Sequence, residues 1–164
     1  MATNNLTAEQ ARHFFKYDPE TGIFTWAVSR QGVVLGAVAG FTDKDGYRFI
    51  CISRRHYPAH RIAWLHYYGE WPKQVIDHIN GVKTDNRIFN LRDVPNSVNL
   101  QNQRVARSRN KASGLLGVFK SNSRWRSRVQ IGDIRHNLGS FATAEEAHAA
   151  YITAKRLIHP GCTI

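Results

Sequence analysis

The sequence predicts an α+β protein with two separate cores. An N-terminal part mixes short strands and helices, and a C-terminal three-stranded antiparallel sheet packs on one helix. Three observations carry this reading. Capping-box sequences at Thr7-Ala8-Glu9-Gln10 and Thr143-Ala144-Glu145-Glu146 open helices near the two extremes of the sequence. Alternating strand-like runs and Gly, Pro and Asn-Gly turns fill the space between them. A basic, aperiodic stretch at 107–113 divides the strand-rich parts and reads as a linker.

Taken in order, the first helix runs from the Thr7 cap to about Phe15. Asp18-Pro19-Glu20-Thr21-Gly22 has Pro and Gly where turn chemistry places them, and Ile23-Phe24-Thr25-Trp26 is a strand. The Gly/Ala/Val-rich stretch 32–40 has no clear assignment. Asp43-Lys44-Asp45-Gly46 turns into a strand over 46–52. From Ala59 to Tyr68 the apolar Ile62, Leu65 and Tyr68 recur at helical spacing, with Trp64, Tyr67 and Tyr68 expected in the core. Residues 75–79 form a strand that enters the turn pair Asn80-Gly81, and residues 90–94 can pair back with it. After Pro95 a helix is expected over 96–105. Beyond the linker, strands are expected near 117–119, 125–131 and 135–141. A last helix follows, with Ala147, Ala150, Tyr151, Ala154 and Leu157 as its apolar stripe.

Composition narrows the partners. The 164 residues are 42% hydrophobic, which suits a folded protein, and the formal charge is +11. The charge is uneven: a net of +3 lies before Gln103 and +8 from Gln103 onward. Such an excess raises the local concentration of polyanions, so nucleic acid leads and an anionic membrane follows. No apolar stretch approaches the ~18–20 residues of a membrane span, and residues 1–6 do not read as a signal peptide. Cys51 and Cys162 form no CxxC pair, which argues against a disulfide framework and against cysteine-bound zinc. A reducing, cytoplasmic compartment is expected.

The segment that carries chemistry runs from Asp77-His78-Ile79-Asn80-Gly81 through Asp85-Asn86-Arg87 to Asn90-Leu91-Arg92, with Asn99 beyond. Phosphodiester hydrolysis needs a divalent cation to neutralise phosphate charge, and a base with a pKa near neutrality to take a proton from water. Histidine is the natural base, and hard cations such as Mg²⁺ or Mn²⁺ favour oxygen ligands. Adjacent strand positions send Asp77 and His78 to opposite faces, so one can hold metal while the other meets water. Asn99 can add an amide oxygen from the following helix. Asn90 can tie the loop to the His78 strand. Asn80-Gly81 by itself is a hairpin turn, and Asp85-Asn86 reads as an Asx-type loop tie. Asp93 is open: its carboxylate either adds to the metal site or is solvated. His56, His60 and His66, near the 59–68 helix, read as structural or DNA-facing. His13, His136, His148 and His159 have no spacing that suggests a site.

Together these motifs resemble the HNH motif of phage-type homing endonucleases, over roughly residues 6–105. The resemblance implies a ββα-metal nuclease domain over 1–106. It implies Asp77 and Asn99 as metal ligands, His78 as general base and Asn90 as the structural middle residue of the motif. The expected cofactor is Mg²⁺ or Mn²⁺ and the expected products carry 5′-phosphate and 3′-hydroxyl ends. One site per chain favours nicking unless the protein dimerises. Asp93 departs from the aromatic or apolar residue expected after Asn-Leu-Arg.

In the C-terminal part Arg124, Arg126, Arg128 and Gln130 alternate with Trp125, Ser127, Val129 and Ile131, which in a strand separates a basic face from a mostly apolar one. Arg135 and Asn137 continue the polar face. Such a sheet can lie in the major groove, with Arg on guanine and Asn or Gln on adenine. The pattern Gly117-Val118-Phe119, Trp125, Leu138-Gly139-Ser140-Phe141 and Glu145-Glu146-Ala147 through Tyr151 is similar to the plant ethylene-response-factor (APETALA-type) domain, over residues 114–160. That similarity implies a DNA-binding domain over 114–164, preceded by Arg107, Arg109 and Lys111 of the 107–113 linker as further DNA contacts. The alternative is a solvated basic face.

The expectation is therefore a nuclease acting on double-stranded DNA, monomeric or dimeric, with no membrane and no obligate protein partner. Its place would be the cytoplasm, that of a bacterial host if phage-encoded. Two rivals stay open: a DNA-binding regulator whose nuclease domain has lost activity, and an RNA-binding or RNA-cleaving protein.

Overall fold

The Thr7 side chain accepts the backbone N–H of Gln10 while the Gln10 side chain accepts that of Thr7, and this reciprocal cap opens α1 (Ala8–Phe14). The computed structural model describes residues 6–29, 32–106 and 110–164. The chain divides into two compact units, Met1–Pro95 and Asn96–Ile164. Among the described residues no helix is long and apolar enough to cross a membrane.

In the first unit β1 (Phe15–Asp18) and β2 (Ile23–Trp26) pair antiparallel around the expected Pro-Gly turn, with Phe15 opposite Trp26. The sequence pattern does not reveal β1, because the strand follows the helix with no break. The stretch 32–40 is irregular, and Val38 bridges Thr25. A three-stranded sheet follows, in the order β3 (Phe41–Thr42), β4 (Arg48–Ile52), β5 (Arg55–Pro58). It leads into α2 (Ala59–Tyr68), whose bounds agree with the periodicity. The buried side chains of α1, the β1–β2 hairpin and α2 meet in one cluster that includes Phe15, Phe24, Trp26, Ile50, Ile62 and Leu65. Full burial of one such side chain stabilises by roughly 1.5–3 kcal/mol. Tyr67 and Tyr68, expected in the core, are instead 51% and 52% exposed, while Trp64 packs against the core. The buried stripe of α2 is Ala59, Ile62, Ala63 and Leu65, and the two tyrosines lie on the outer turn.

β6 (Val75–His78) and β7 (Leu91–Val94) form a two-stranded antiparallel pair, with Asp77 opposite Arg92 and His78 opposite Leu91. A 3₁₀ turn over Ile88–Asn90 joins the intervening loop to β7.

The second unit begins with α3 (Asn96–Gln101), shorter than the helix expected over 96–105. Bonds from Asn102 N–H to the Asn99 carbonyl and from Gln103 N–H to the Leu100 carbonyl tighten the chain into a turn there. The unit's sheet has the order β10-β9-β8, from β8 (Val118–Ser121), β9 (Arg124–Ile131) and β10 (Ile134–Phe141). α4 (Ala144–Ile158) opens with the expected Thr143–Glu146 box and packs on all three strands around Val118, Ala144 and Ala147. Gly117 (φ 72°) is required here, because a Cβ would collide with the Tyr151 ring.

The apolar stripe of α4 needs correction at one end. Leu157 is 81% exposed, and the aliphatic stem of Lys155, itself 1% exposed, occupies the buried position. The helical repeat from Ala144 through Ala147 and Tyr151 reaches Lys155, which residue type alone assigns to solvent. Residues 110–113, expected in the linker, form a turn tied to the sheet: Asn110 Nδ2 and Ser113 Oγ both donate to the Val118 carbonyl. The compact division thus falls at Pro95/Asn96, whereas the composition places its boundary at 107–113.

Candidate active site

The turn at the tip of the β1–β2 hairpin presses on the loop that precedes β7. Gly22 (φ 73°) lies so close that a Cβ would meet the Arg87 nitrogen at 2.5 Å. Ile88 N–H donates to the Pro19 carbonyl, and the Tyr17 hydroxyl donates to the Asn86 carbonyl at 2.7 Å. Burial first, then the nearby Asp18 carboxylate, pushes the Tyr17 phenol up, so it stays a donor at neutral pH. The N-terminal hairpin therefore fixes residues 85–88 from outside.

The loop is also braced from within. Asp85 accepts two bonds from the Arg87 guanidinium, at 2.7 and 2.6 Å, and one from Asn80 Nδ2 at 2.6 Å. These bonds, those of Arg87 foremost, hold its carboxyl below the usual range. Asn90 accepts the Asn80 backbone N–H through Oδ1 and donates Nδ2 to the Asp85 carbonyl. It thus ties the Asn80-Gly81 turn to the far end of the loop, in keeping with a structural part. The expected Asp85-Asn86 loop tie applies to Asp85. Asn86 is 1% exposed, and its Oδ1 stands 3.2 Å from His78 Nε2.

Asp77 and His78 lie side by side on β6, both buried. Asp77 accepts Arg92 Nε at 2.8 Å and Arg92 Nη2 at 2.6 Å. The strand register explains this contact, since residues directly opposite share a face. His78 meets two aromatic neighbours that local spacing does not announce. Its ring lies 5.2 Å from His60 on α2 and 6.2 Å from Tyr47, just before β4. Lys83 Nζ sits 4.7 Å above the Tyr47 ring and donates to the Asp45 carbonyl. The packing of α2 and the β4 sheet is what brings Tyr47 and His60 to His78. Burial lowers the His78 pKa, while its bond to Asn86 and the carboxylates of Asp77 and Asp85 oppose that shift. Its imidazole is therefore neutral near pH 7.

Asp93 is half-buried and has backbone partners. Its carboxylate accepts the backbone N–H groups of Lys73 and Gln74, at 2.7 and 2.8 Å, and anchors the approach to β6. Of the other histidines expected to be structural, His66 bonds the Phe15 carbonyl and edges against Tyr17 and Phe24.

Asn99 is half-buried on α3, in the second unit. The charged residues expected on the sheet share one face. Cross-strand partners are Arg126 with Phe119 and Ser140, Arg128 with Asn137, and Gln130 with Arg135. Arg124 and Arg126 are exposed, and the Arg128 guanidinium stacks 4.6 Å over Phe119 while its Nε donates to Asn137. Trp125, Ser127 and Val129 turn toward α4, whereas Ile131 at the strand end is 40% exposed. Lys111 is exposed in the 110–113 turn, and Arg107 and Arg109 lie outside the described residues.

Among the described residues no three His, Cys, Asp or Glu side chains gather as a metal cage. Magnesium-like ions do not require one: they are held by one or two carboxylates, keep several waters and bind substrate phosphate. A single buried carboxylate beside a neutral histidine fits that habit.

Residues 57–101 match the family model described as HNH endonuclease. The match takes in the end of β5, α2, β6 with Asp77 and His78, the 3₁₀ turn with Asn90, β7, and α3 with Asn99, and it supports an HNH nuclease domain in this chain. No curated protein and no solved structure matches the chain.

Proposed function

We propose that the protein is a metal-dependent DNA endonuclease of the homing type that nicks double-stranded DNA. The observation that carries this reading is the buried His78 beside Asp77, its Nε2 directed at Asn86, within the segment that matches the HNH endonuclease family. With Nε2–H donating to Asn86 Oδ1, the lone pair of the imidazole is on Nδ1. His78 takes a proton there from the attacking water. Attack at phosphorus breaks the bond to the 3′-oxygen, which takes a proton from solvent, and leaves a 5′-phosphate and a 3′-hydroxyl. Asp77 and Asn99 would hold a Mg²⁺ or Mn²⁺ ion, which when bound neutralises charge on the phosphate and the leaving oxygen. Asn90 keeps the loop closed on itself, and the hairpin tip keeps Asn86 in register with His78.

In this reading residues 1–106 carry the nuclease function, residues 107–113 link it, and residues 114–164 anchor the protein on DNA. Arg124, Arg126, Arg128, Gln130, Arg135 and Asn137 meet the duplex in the manner of an ethylene-response-factor domain, with Arg107, Arg109 and Lys111 contributing phosphate contacts. The concentration of positive charge after residue 102 supports this assignment. A phage-encoded enzyme at work in bacterial cytoplasm fits the resemblance.

One observation favours a second reading, a DNA-binding regulator without nuclease activity: Arg92 already neutralises the Asp77 carboxylate. Incubation of supercoiled plasmid with the protein and Mg²⁺ or Mn²⁺ decides between them. Nicked circles that DNA ligase can reseal, absent in chelator, are expected. Intact plasmid at protein concentrations that saturate the DNA selects the regulator.

A further inference from the structure

The residues that follow α4 return to α3 and hold it. Gly161 N–H donates to Gln101 Oε1 at 2.9 Å. The Thr163 hydroxyl donates to Asn102 Oδ1 at 2.6 Å and accepts from Arg104 Nη2 at 2.7 Å. Arg104 Nη2 also reaches the Thr163 carbonyl. Gly161 packs so tightly that an added Cβ would collide with the Val98 carbonyl oxygen. From α4 itself, the buried Lys155 ammonium donates to the Gln103 carbonyl at 2.5 Å.

α3 needs this support. It has six residues and none of them is fully buried, so it has no apolar core of its own. Isolated helices far shorter than ~12 residues are not stable in water. Its flank is instead polar and specific: Asn102 is 5% exposed, and its amide oxygen receives a hydroxyl from a residue 61 positions away.

We infer that residues 159–164 form a clasp that positions α3, and with it Asn99, so that this segment is a positioning element for the nuclease reaction. The inference rests on the nuclease reading above. It adds a dependence that the motif does not contain: the helix that completes the HNH segment is built into the same unit as the basic sheet. Cutting the chain after residue 106 therefore removes Lys155, Gly161 and Thr163, which hold residues 101–104.

The test uses the full chain with Thr163→Val, Thr163→Ser and Gly161→Ala. Thr163→Val keeps the shape and loses both hydroxyl bonds, Thr163→Ser keeps them, and Gly161→Ala forces the segment away from Val98. Three quantities are read: amide hydrogen exchange across residues 98–102, affinity for duplex DNA in chelator, and kcat and KM for plasmid nicking. In Thr163→Val and Gly161→Ala, exchange across 98–102 should accelerate and kcat should fall about 10- to 100-fold, the cost of a displaced reacting group. KM and duplex affinity should hold, and Thr163→Ser should match the unaltered protein. If exchange accelerates while kcat is unchanged, or if exchange in 98–102 does not change at all, the clasp is not a positioning element. A fall in kcat matched by a loss of duplex affinity also overturns it, since the effect is then general. Should Thr163→Val fail to fold, Gly161→Ala alone decides. An unaltered protein that binds DNA but never nicks it overturns the nuclease reading instead, and accelerated exchange would still report the clasp as a structural contact.

Discussion

His60 stands edge-on to His78, with ring centroids 5.2 Å apart and planes at 80°. His60 Nδ1 is buried and has no hydrogen-bond partner among the described residues. Burial first, then His78, which becomes charged only as the pH falls, and the Arg61 guanidinium push the His60 pKa down to about 3. The folded protein thus refuses a proton that the unfolded chain takes up near pH 6.5. Stability should be unaffected by this group above pH 6.5, fall as the pH drops through 6.5, and continue to fall to about pH 3. His60→Phe, which keeps a ring in the same space, should show a flatter decline between about pH 6.5 and 4. Urea midpoints of the two proteins across that range measure this, and parallel curves would contradict the neutral, buried state of His60.

Asp93 gives a prediction that separates a structural carboxylate from a ligand. Hydrogen bonds to charged groups contribute about 1.5–3 kcal/mol each. Asp93→Ala removes two, to Lys73 and Gln74, so unfolding free energy should drop by a few kcal/mol. The metal concentration for half-maximal nicking should stay in place in whatever fraction remains folded. A large shift in that midpoint with stability unchanged would return Asp93 to the metal site.

Gly22→Ala probes the hairpin tip that fixes residues 85–88. The residue has φ 73°, and the new Cβ would overlap the backbone of Asn86 and Arg87. A left-handed conformation alone costs a non-glycine residue ~1–2 kcal/mol, and the overlap adds to it. Thermal unfolding should report at least that reduction. Wild-type stability would mean that the hairpin does not seat on the loop.

On the basic sheet, Arg126 is exposed while Arg128 stacks on Phe119 and bonds Asn137. Arg126→Ala should weaken duplex binding with no change in melting temperature, and Arg128→Ala should cost both. Removing an arginine that serves only a phosphate lowers the salt slope of log affinity by ~0.9. Removing one that reads a guanine edge costs ~1–3 kcal/mol on the preferred site. Binding to target and random duplexes across a salt series separates these outcomes. Unchanged affinity and slope for both variants would leave the sheet face solvated.

Much of the fold is legible where one physical signal acts locally. Both capping boxes, the Pro-Gly turn, the β6–β7 pairing and the alternation along β9 follow from adjacent residues, and the structure reproduces each. β1 is not legible, because it begins without a break after α1. Lys155 and Leu157 exchange the expected roles, since a lysine stem buries when its ammonium finds a carbonyl. In the candidate site, Asp77, His78 and Asn90 are candidates by spacing alone. Tyr47, His60 and the Asn86–His78 bond cannot be read from it, because each depends on elements brought together by the fold. The same holds for the clasp on α3, where the bonds of Gly161 and Thr163 span 60 and 61 residues.

The central claim, that His78 is the base of a nuclease, is tested most directly by single-turnover nicking by His78→Ala at saturating DNA and Mg²⁺. Loss of a general base costs ~10² to 10⁴ in rate. The variant should fall by that factor while its affinity for the same duplex in chelator and its thermal stability stay near those of the unaltered protein. Nicking at the unaltered rate by a folded, DNA-bound His78→Ala protein would contradict the assignment.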